Sequence, residues 1–202
     1  MDDVSLKTEA ARYTEEVAGI FSLQLYEPRD CEAVIARARD VGAWARAAVS
    51  VFGDDGQFAT AHRPETRRAS AFTPADDSVI MRDFSEKLGR LVRPAVKELW
   101  RVDLTRHSGT HVVRYEPGNY YAAHTDTGMN LLDRYFTVLC YLNDDFEGGQ
   151  TSFPTLLYSA APRRGKAVVF PSTYVHRADP VTRGEKYVIV SWMMGAPPSR
   201  WL

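Results

Sequence analysis

The sequence predicts an α+β fold, with helices from the first hundred residues packed on a β core of sandwich, barrel or jelly-roll type from the second. Three observations carry this. Apolar residues recur at helical spacing in two stretches of the first half. The second half holds short β-branched and aromatic runs bounded by turn residues. The change near Arg106 is one of composition, without a linker, so the 202 residues read as one domain. Within it, 1–105 is expected to be mainly helical support with a long loop, and 106–202 the β core.

Taken in order, "PRDCEAVIARARDVGAW" (28–44) opens with the start signals Pro28 and Asp30 and carries Val34, Ile35 and Val41 on one helical stripe. "DDSVIMRDFSEKLGRLV" (76–92) repeats the pattern with Val79, Ile80, Phe84, Leu88 and Leu91, and Asp76 or Asp77 is the expected cap. Pro94 must kink this helix or begin another running to Trp100. The intervening "VFGDDGQFATAHRPETRRASAFTPADD" (51–77) reads as a hairpin or a long loop. Then "HVVRYEPG", "YFTVLCYLN", "GKAVVFP" and "EKYVIVSWMM" read as strands, punctuated by turns at Asn143–Asp145, Gly148-Gly149, Arg164-Gly165 and Arg183-Gly184.

Composition excludes several classes. A net charge of −1 offers nothing to nucleic acid, and the cations between Lys87 and Arg114 fall mostly at solvated-face spacing on a helix. No apolar run approaches the ~20 residues of a membrane span. The acidic, polar start is unlike a signal peptide, and two cysteines, Cys31 and Cys140, make no disulfide framework. A cytoplasmic protein without nucleic-acid or membrane partners is the expectation.

The chemistry starts at "YYAAHTDTGMN" (120–130). On a strand, His124 and Asp126 share a face about 7 Å apart, at ~3.3 Å per residue. Alone they read equally as a solvated turn. His176, after the turn at Pro171, adds a second imidazole. Two histidines and one carboxylate make the facial set of non-haem Fe(II) oxygenases, which leaves positions open for substrate and O₂. Lys186 follows ten residues later and shares a strand face with Val188, Val190 and Trp192. An inward lysine is costly unless it meets an anion, and the carboxylate of a metal-bound ligand would be one. A strand-edge lysine is the other reading. His107 and His111, four apart in an extended run, are too distant to chelate one metal.

"VVRYEPGNYYAAHTD", "RYFTVLCYLNDDFEGGQTSFP" and "GKAVVFPSTYVHRADPVTRGEKYVIVSWM", in that order, resemble the prolyl-4-hydroxylase-like branch of the Fe(II)/2-oxoglutarate dioxygenases, over Gly109 to Met194. The resemblance implies a double-stranded β-helix, a jelly-roll variant. It implies iron on His124, Asp126 and His176, and Lys186 on the far carboxylate of 2-oxoglutarate. Tyr115, Thr137 and Tyr141 match positions lining the co-substrate pocket, and Trp192 matches a pocket wall. Gly148 and Gly149 match a tight approach at a strand start. Arg134 matches a position that contacts substrate in relatives, although a plain exposed arginine reads equally well. "RRASAF" (67–72) loosely resembles a segment at the substrate mouth, which makes Arg68 a candidate, and Gly53–Pro74 is expected to close over substrate.

The implied activity is hydroxylation of an aliphatic C–H of an amino acid, small metabolite or peptidyl residue, with a proline-like substrate as the family-level expectation. O₂ and 2-oxoglutarate would be consumed, succinate and CO₂ released, and ascorbate could serve as reductant. Asp126 argues against halogenation, where a halide takes the carboxylate's place; desaturation or cyclisation by the same iron centre stays open. A non-catalytic metal- and ligand-binding jelly roll acting as a sensor, or a cupin-like isomerase, are the alternatives. A small-molecule or short-peptide substrate is expected, since the chain has no room for a separate peptide-binding domain.

Overall fold

The computed structural model describes residues 13–52, 57–76, 78–128 and 131–195. It opens with a hairpin, β1 (Tyr13–Val17) and β2 (Ile20–Gln24). Ala18 and Gly19 turn it with φ of 40° and 77°, both positive as in a two-residue type I′ turn. A Cβ on Gly19 would lie 2.1 Å from the Trp100 ring, so a side chain there would collide as well as strain. Helix α1 (Pro28–Val41) has proline in its first turn, where no N–H is missed, and ends on Gly42 at φ 64°. It buries Cys31, Val34 and Ala38.

Five short strands follow: β3 (Ala45–Arg46), β4 (Val49–Phe52), β5 (Phe58–Ala61), β6 (Arg67–Arg68) and β7 (Ser70–Phe72). Helix α2 (Val79–Lys87) is capped by Ser78, whose Oγ accepts from the Met81 N–H at 3.1 Å. The cap expected at Asp76 or Asp77 is therefore a later residue; Asp77 itself lies outside the described residues. Pro94 has no N–H for the preceding turn, and the helix answers with a wide π turn over Leu88–Val92 before α3 (Arg93–Trp100).

Apart from a 3-10 turn at Pro154–Leu156, the described residues of the second half are strand and loop: β8 (Leu104–Tyr115), β9 (Tyr120–His124), β10 (Arg134–Tyr141), β11 (Glu147–Gly148), β12 (Thr151–Phe153), β13 (Tyr158–Ala160), β14 (Lys166–Pro171), β15 (His176–Ala178), β16 (Val181–Arg183) and β17 (Lys186–Gly195). An eight-stranded sheet in the order β1-β2-β14-β10-β17-β8-β7-β3 faces a five-stranded one in the order β13-β12-β15-β9-β6. β11-β16 and β4-β5 pair separately, and all the described pairings are antiparallel. This is a jelly roll.

The expectation of a mainly helical first half does not hold. β1, β2, β3 and β7 belong to the large sheet and β6 to the small one, while 51–77 supplies the β4–β5 hairpin and two ladder strands. Periodicity could not reveal this, because the partners are distant: β2 pairs with β14 (Lys166↔Gln24, Val169↔Phe21). Residues 53–56 of the expected lid lie outside the described residues.

The central strands of the large sheet, β14, β10 and β17, are buried on both faces, which is why they read as near-continuous apolar runs. Val112, Val138, Cys140, Ile189 and Met193 face the helices, with Phe84, Leu88 and Val96 opposite. Val113, Tyr141, Phe170 and Val188 face the small sheet, with Phe153 and Ala160. A fully buried Phe or Val contributes roughly 1.5–3 kcal/mol, so both layers matter to stability. The alternation places Thr137, Leu139 and Tyr141 on the inter-sheet face, as their spacing predicts.

Candidate active site

Three side chains meet where β9 and β15 lie side by side. His124 ends β9, His176 begins β15, and the two are register partners with rings 4.2 Å apart. Asp126 sits in the bend just past β9, so it is off the strand that the His-x-Asp spacing suggested. That bend is held by the Asp126 N–H, which donates to the Ser172 carbonyl at 2.9 Å. His124 Nε2 lies 3.5 Å from Asp126 Oδ1 and His176 Nε2 lies 3.4 Å from Oδ2. One donor atom from each residue falls within 4.8 Å of the others.

Both tautomers are set by the backbone. A carbonyl only accepts, so Nδ1–H of His124 donates to Ala122 O at 2.8 Å and Nδ1–H of His176 to Tyr174 O at 3.0 Å. Each ring therefore turns a bare Nε2 inward, as a metal ligand requires. The Thr137 hydroxyl donates to Asp126 Oδ2 at 2.7 Å and meets Ser172 Oγ at 3.1 Å, fixing the carboxylate. Burial alone would raise the Asp126 carboxyl, but His176 and His124 hold it well below the usual range. Burial lowers His124, whereas His176 is raised because Asp126 outweighs its burial. Cis ligands about 2.1 Å from one ion lie about 3 Å apart, so the donor set fits a small divalent cation with little movement.

The triad opens on a cavity of about 700 Å³ between the sheets. Its floor is a ladder of inward residues: Thr137 opposite Trp192, Leu139 opposite Val190, and Val188 opposite Val113. Thr151 and Tyr115 line it at the Lys186 end. Lys186, opposite Tyr115, is one rung beyond Val188 and is not among the lining residues. It is 0% exposed. Its Nζ donates to Gly149 O at 2.6 Å and lies 4.9 and 5.4 Å from the Tyr115 and Tyr141 ring centres. With no carboxylate in an ion pair with it among the described residues, burial pushes its pKa down to about 7. Gly149 allows this approach, since a Cβ there would lie 3.2 Å from Lys186 Cδ; Gly148, also at positive φ, lets the chain pass Pro180, whose carbonyl a Cβ would meet at 2.3 Å.

The other candidates divide. Tyr115 and Trp192 line the cavity. Tyr141 does not; its hydroxyl donates to Thr151 Oγ1 at 2.8 Å and accepts from the Thr151 N–H, so it holds β12 in place. Thr137 reaches the cavity, but its hydroxyl serves Asp126. Arg134 lines the cavity, so it is not the plain exposed arginine, and it lies over the Trp192 ring at 3.7 Å. Arg68 is exposed and donates to Pro64 O, whereas its neighbour Arg67 lines the cavity. β4–β5 contributes Val49, Ser50, Val51 and Thr60 to the wall, where a substrate loop was expected. His107 bonds Ser85 and His111 bonds Thr73; neither joins the three-residue donor set, although His111 lines the cavity. Thr151, Ser172 and Arg67 were missed, although Thr151 stands two residues after Gly149 in a quoted motif and Ser172 follows Pro171.

Comparison with known proteins agrees with this geometry. Residues 110–194 match the family model of the 2OG-Fe(II) oxygenase superfamily. A PKHD-type hydroxylase of Synechococcus is 33% identical over 89 residues, 39% of each chain. Prolyl 4-hydroxylase subunit alpha-1 of Gallus gallus is 28% identical over 155 residues, 67% of this chain and 30% of the relative. The chain spans about half the length, or less, of such curated relatives. A Pseudomonas putida prolyl-4-hydroxylase shares the fold at TM-score 0.70 and 18% identity, over 89% of this chain and 94% of that one. So does a viral collagen prolyl hydroxylase from Paramecium Bursaria Chlorella virus-1, solved with 2-oxoglutarate, at 0.64 and 22%, over 89% and 97%.

Proposed function

We propose, on the premise that residues 110–194 belong to the 2OG-Fe(II) oxygenase superfamily, that this protein is a 2-oxoglutarate-dependent hydroxylase of aliphatic C–H bonds. The observation that carries the reading is two bare Nε2 atoms and one carboxylate within 4.8 Å of one another on the wall of a cavity that ends near a buried lysine. The family implies Fe(II) and 2-oxoglutarate. In our reading His124, Asp126 and His176 hold the iron, O₂ is the oxidant, and ascorbate serves as an accessory reductant. The chemistry that a bound iron supplies is oxidation of an unactivated C–H, coupled to conversion of 2-oxoglutarate and O₂ into succinate and CO₂.

The protein's own part is positional. Ala122 O and Tyr174 O lock the two imidazoles, and Thr137 with Ser172 locks the carboxylate, so no ligand has to reorganise. Lys186 would offer its ammonium to the far carboxylate of 2-oxoglutarate, turning from Gly149 O toward the cavity. Tyr115 and Thr151 would flank that carboxylate. Leu139, Val188, Val190 and Trp192 keep the space between largely apolar and exclude water. We read 1–202 as a single domain. Two free, buried cysteines suit a reducing compartment, so a cytoplasmic location is part of the proposal, and among the described residues no helix is long and apolar enough to cross a membrane.

The substrate is an amino acid, small metabolite or peptidyl residue, with a proline-like group favoured by the relatives' names. A Trichoplax adhaerens prolyl hydroxylase of similar fold was solved with a peptide fragment. The test is succinate formation from 2-oxoglutarate by the Fe(II)-loaded protein across a panel of amino acids, peptides and metabolites. Stimulated succinate release supports the reading. Metal and 2-oxoglutarate binding with no succinate under any condition would make the protein a sensor.

A further inference from the structure

The cavity holds more positive charge and more hydrogen-bond donors than its walls can satisfy. Arg134 lies over Trp192, and its Nη1 reaches the Asp126 carbonyl at 3.4 Å. Arg67 lies over the Tyr121 ring at 4.5 Å, its Nη1 donates to Ala48 O at 3.1 Å, and its guanidinium also hydrogen-bonds the Tyr115 hydroxyl. Neither guanidinium is in an ion pair among the described residues. The Nε atoms of both arginines and the Trp192 Nε1 are buried without an acceptor. All three are donors, and all three residues line the same cavity.

The remaining wall charges do not cancel them. Arg177 is taken by Asp179 at 2.7 Å, and Asp126 is committed to two histidines and Thr137. Glu65 and Arg63 are exposed. Both arginines act on the same ring: burial, and after it the charges of Arg67 and Arg134, hold the His111 imidazole below its ordinary pKa. Tyr121 also feels both.

This is not the anion site at the Lys186 end. Trp192, under Arg134, is six residues from Lys186 on one strand, about 20 Å at ~3.3 Å per residue. A carboxylate at Lys186 and one at Arg134 therefore occupy separate sites. A buried donor without an acceptor is a standing cost, and two guanidinium groups and an indole N–H lining one cavity offer donors that match the lone pairs of a carboxylate.

We propose that the primary substrate carries a free carboxylate, received by Arg134 and Arg67 with the Trp192 N–H, so that the substrate class is a free amino acid or similar small acid and not a residue inside a peptide chain. The inference rests on the hydroxylase reading and narrows it. Arg134 already touches the Asp126 backbone, so an acid held there has its first carbons beside the triad.

The test is calorimetric titration of the protein loaded with Fe(II) and 2-oxoglutarate under nitrogen, where no turnover occurs. The probes are a panel of free L-amino acids, the carboxamide of each, and blocked peptides carrying the same residue internally. We expect at least one free acid to bind, and its amide to bind about tenfold to a hundredfold more weakly, the loss typical of a charge-assisted hydrogen bond. Arg134→Gln and Arg67→Gln should each bring the acid toward the amide's affinity. The inference is overturned if the amide or the internal peptide residue binds as tightly as the acid, if no free acid binds, or if both variants keep the preference. The acid–amide comparison is made on the parent protein, so it survives a variant that does not fold. Failure of 2-oxoglutarate itself to bind would instead sink the hydroxylase reading.

Discussion

The two ends of the cavity hold their charge in opposite ways. At the triad, one carboxylate is shared between two imidazoles and a threonine hydroxyl, and each outer ring nitrogen has a carbonyl. At the other end a single ammonium, wholly buried, has the Gly149 carbonyl and two aromatic faces. With both Nε2 atoms bare, the triad holds the one negative charge of Asp126 in fixed geometry for a cation. The lysine is balanced only when an anion arrives. In our account the first arrangement buys geometry, and the second holds a charge in reserve for a co-substrate.

The comparison breaks most visibly at the triad. His176→Ala should abolish Fe(II)-dependent succinate formation, because no other side chain among the described residues joins the donor set to replace its Nε2; normal turnover by that variant removes the triad from the account. Next in size, Lys186→Ala leaves the far carboxylate without its counter-ion. Losing one partner of a buried pair costs ~3–5 kcal/mol, or roughly 10²–10³ in affinity. Equilibrium binding of 2-oxoglutarate should fall by that much while Fe(II) binding hardly moves. Affinity within a few-fold of the parent would make Lys186 an ordinary strand lysine.

Thr137→Val sharpens the comparison from the triad side. It keeps shape and removes the hydroxyl that fixes Asp126, and loss of such an outer partner weakens metal binding about 10–100-fold. Competition against a metallochromic chelator reads this directly, and an unchanged metal affinity would show that Asp126 is held well enough by the Ser172 carbonyl and the histidines. The smallest effect is on pH. Lys186 has a folded pKa of about 7, below the 10.5 of a free lysine. Between those values the unfolded chain holds a proton that the folded chain has lost, so the group's destabilising effect is full below pH 7 and fades as pH rises toward 10.5. Denaturant unfolding without ligand should show this slope, and Lys186→Met should remove it. Binding the ammonium form, 2-oxoglutarate should lose about tenfold in affinity per pH unit above 7 and take up a proton. A parallel slope in Lys186→Met would assign it to another group.

Much of this site was legible because its chemistry is local in the chain. His124 and Asp126 stand two apart, and Lys186 follows His176 by ten. Alternation alone put Lys186, Val188, Val190 and Trp192 on one face. What escaped depends on register between distant segments. β6 pairs Arg67 with Tyr121 and Arg68 with Tyr120, and that parity decides which arginine turns inward. Thr137 reads as one more inward residue until the fold carries Asp126 to its hydroxyl. The strands of the first half are too short to show a period, and their partners lie far along the chain.

The central claim is that one small diacid bridges the two ends, chelating iron at the triad and meeting Lys186 at the other. Anaerobic titration of the Fe(II)-loaded protein with 2-oxoglutarate, followed by the weak visible charge-transfer band of the chelate, tests it most directly. The account predicts a saturable band in the parent, none in His176→Ala, and the same band in Lys186→Ala at roughly 10²–10³ times more 2-oxoglutarate. A parent that gives no band, or a Lys186→Ala titration that overlays the parent's, would contradict it.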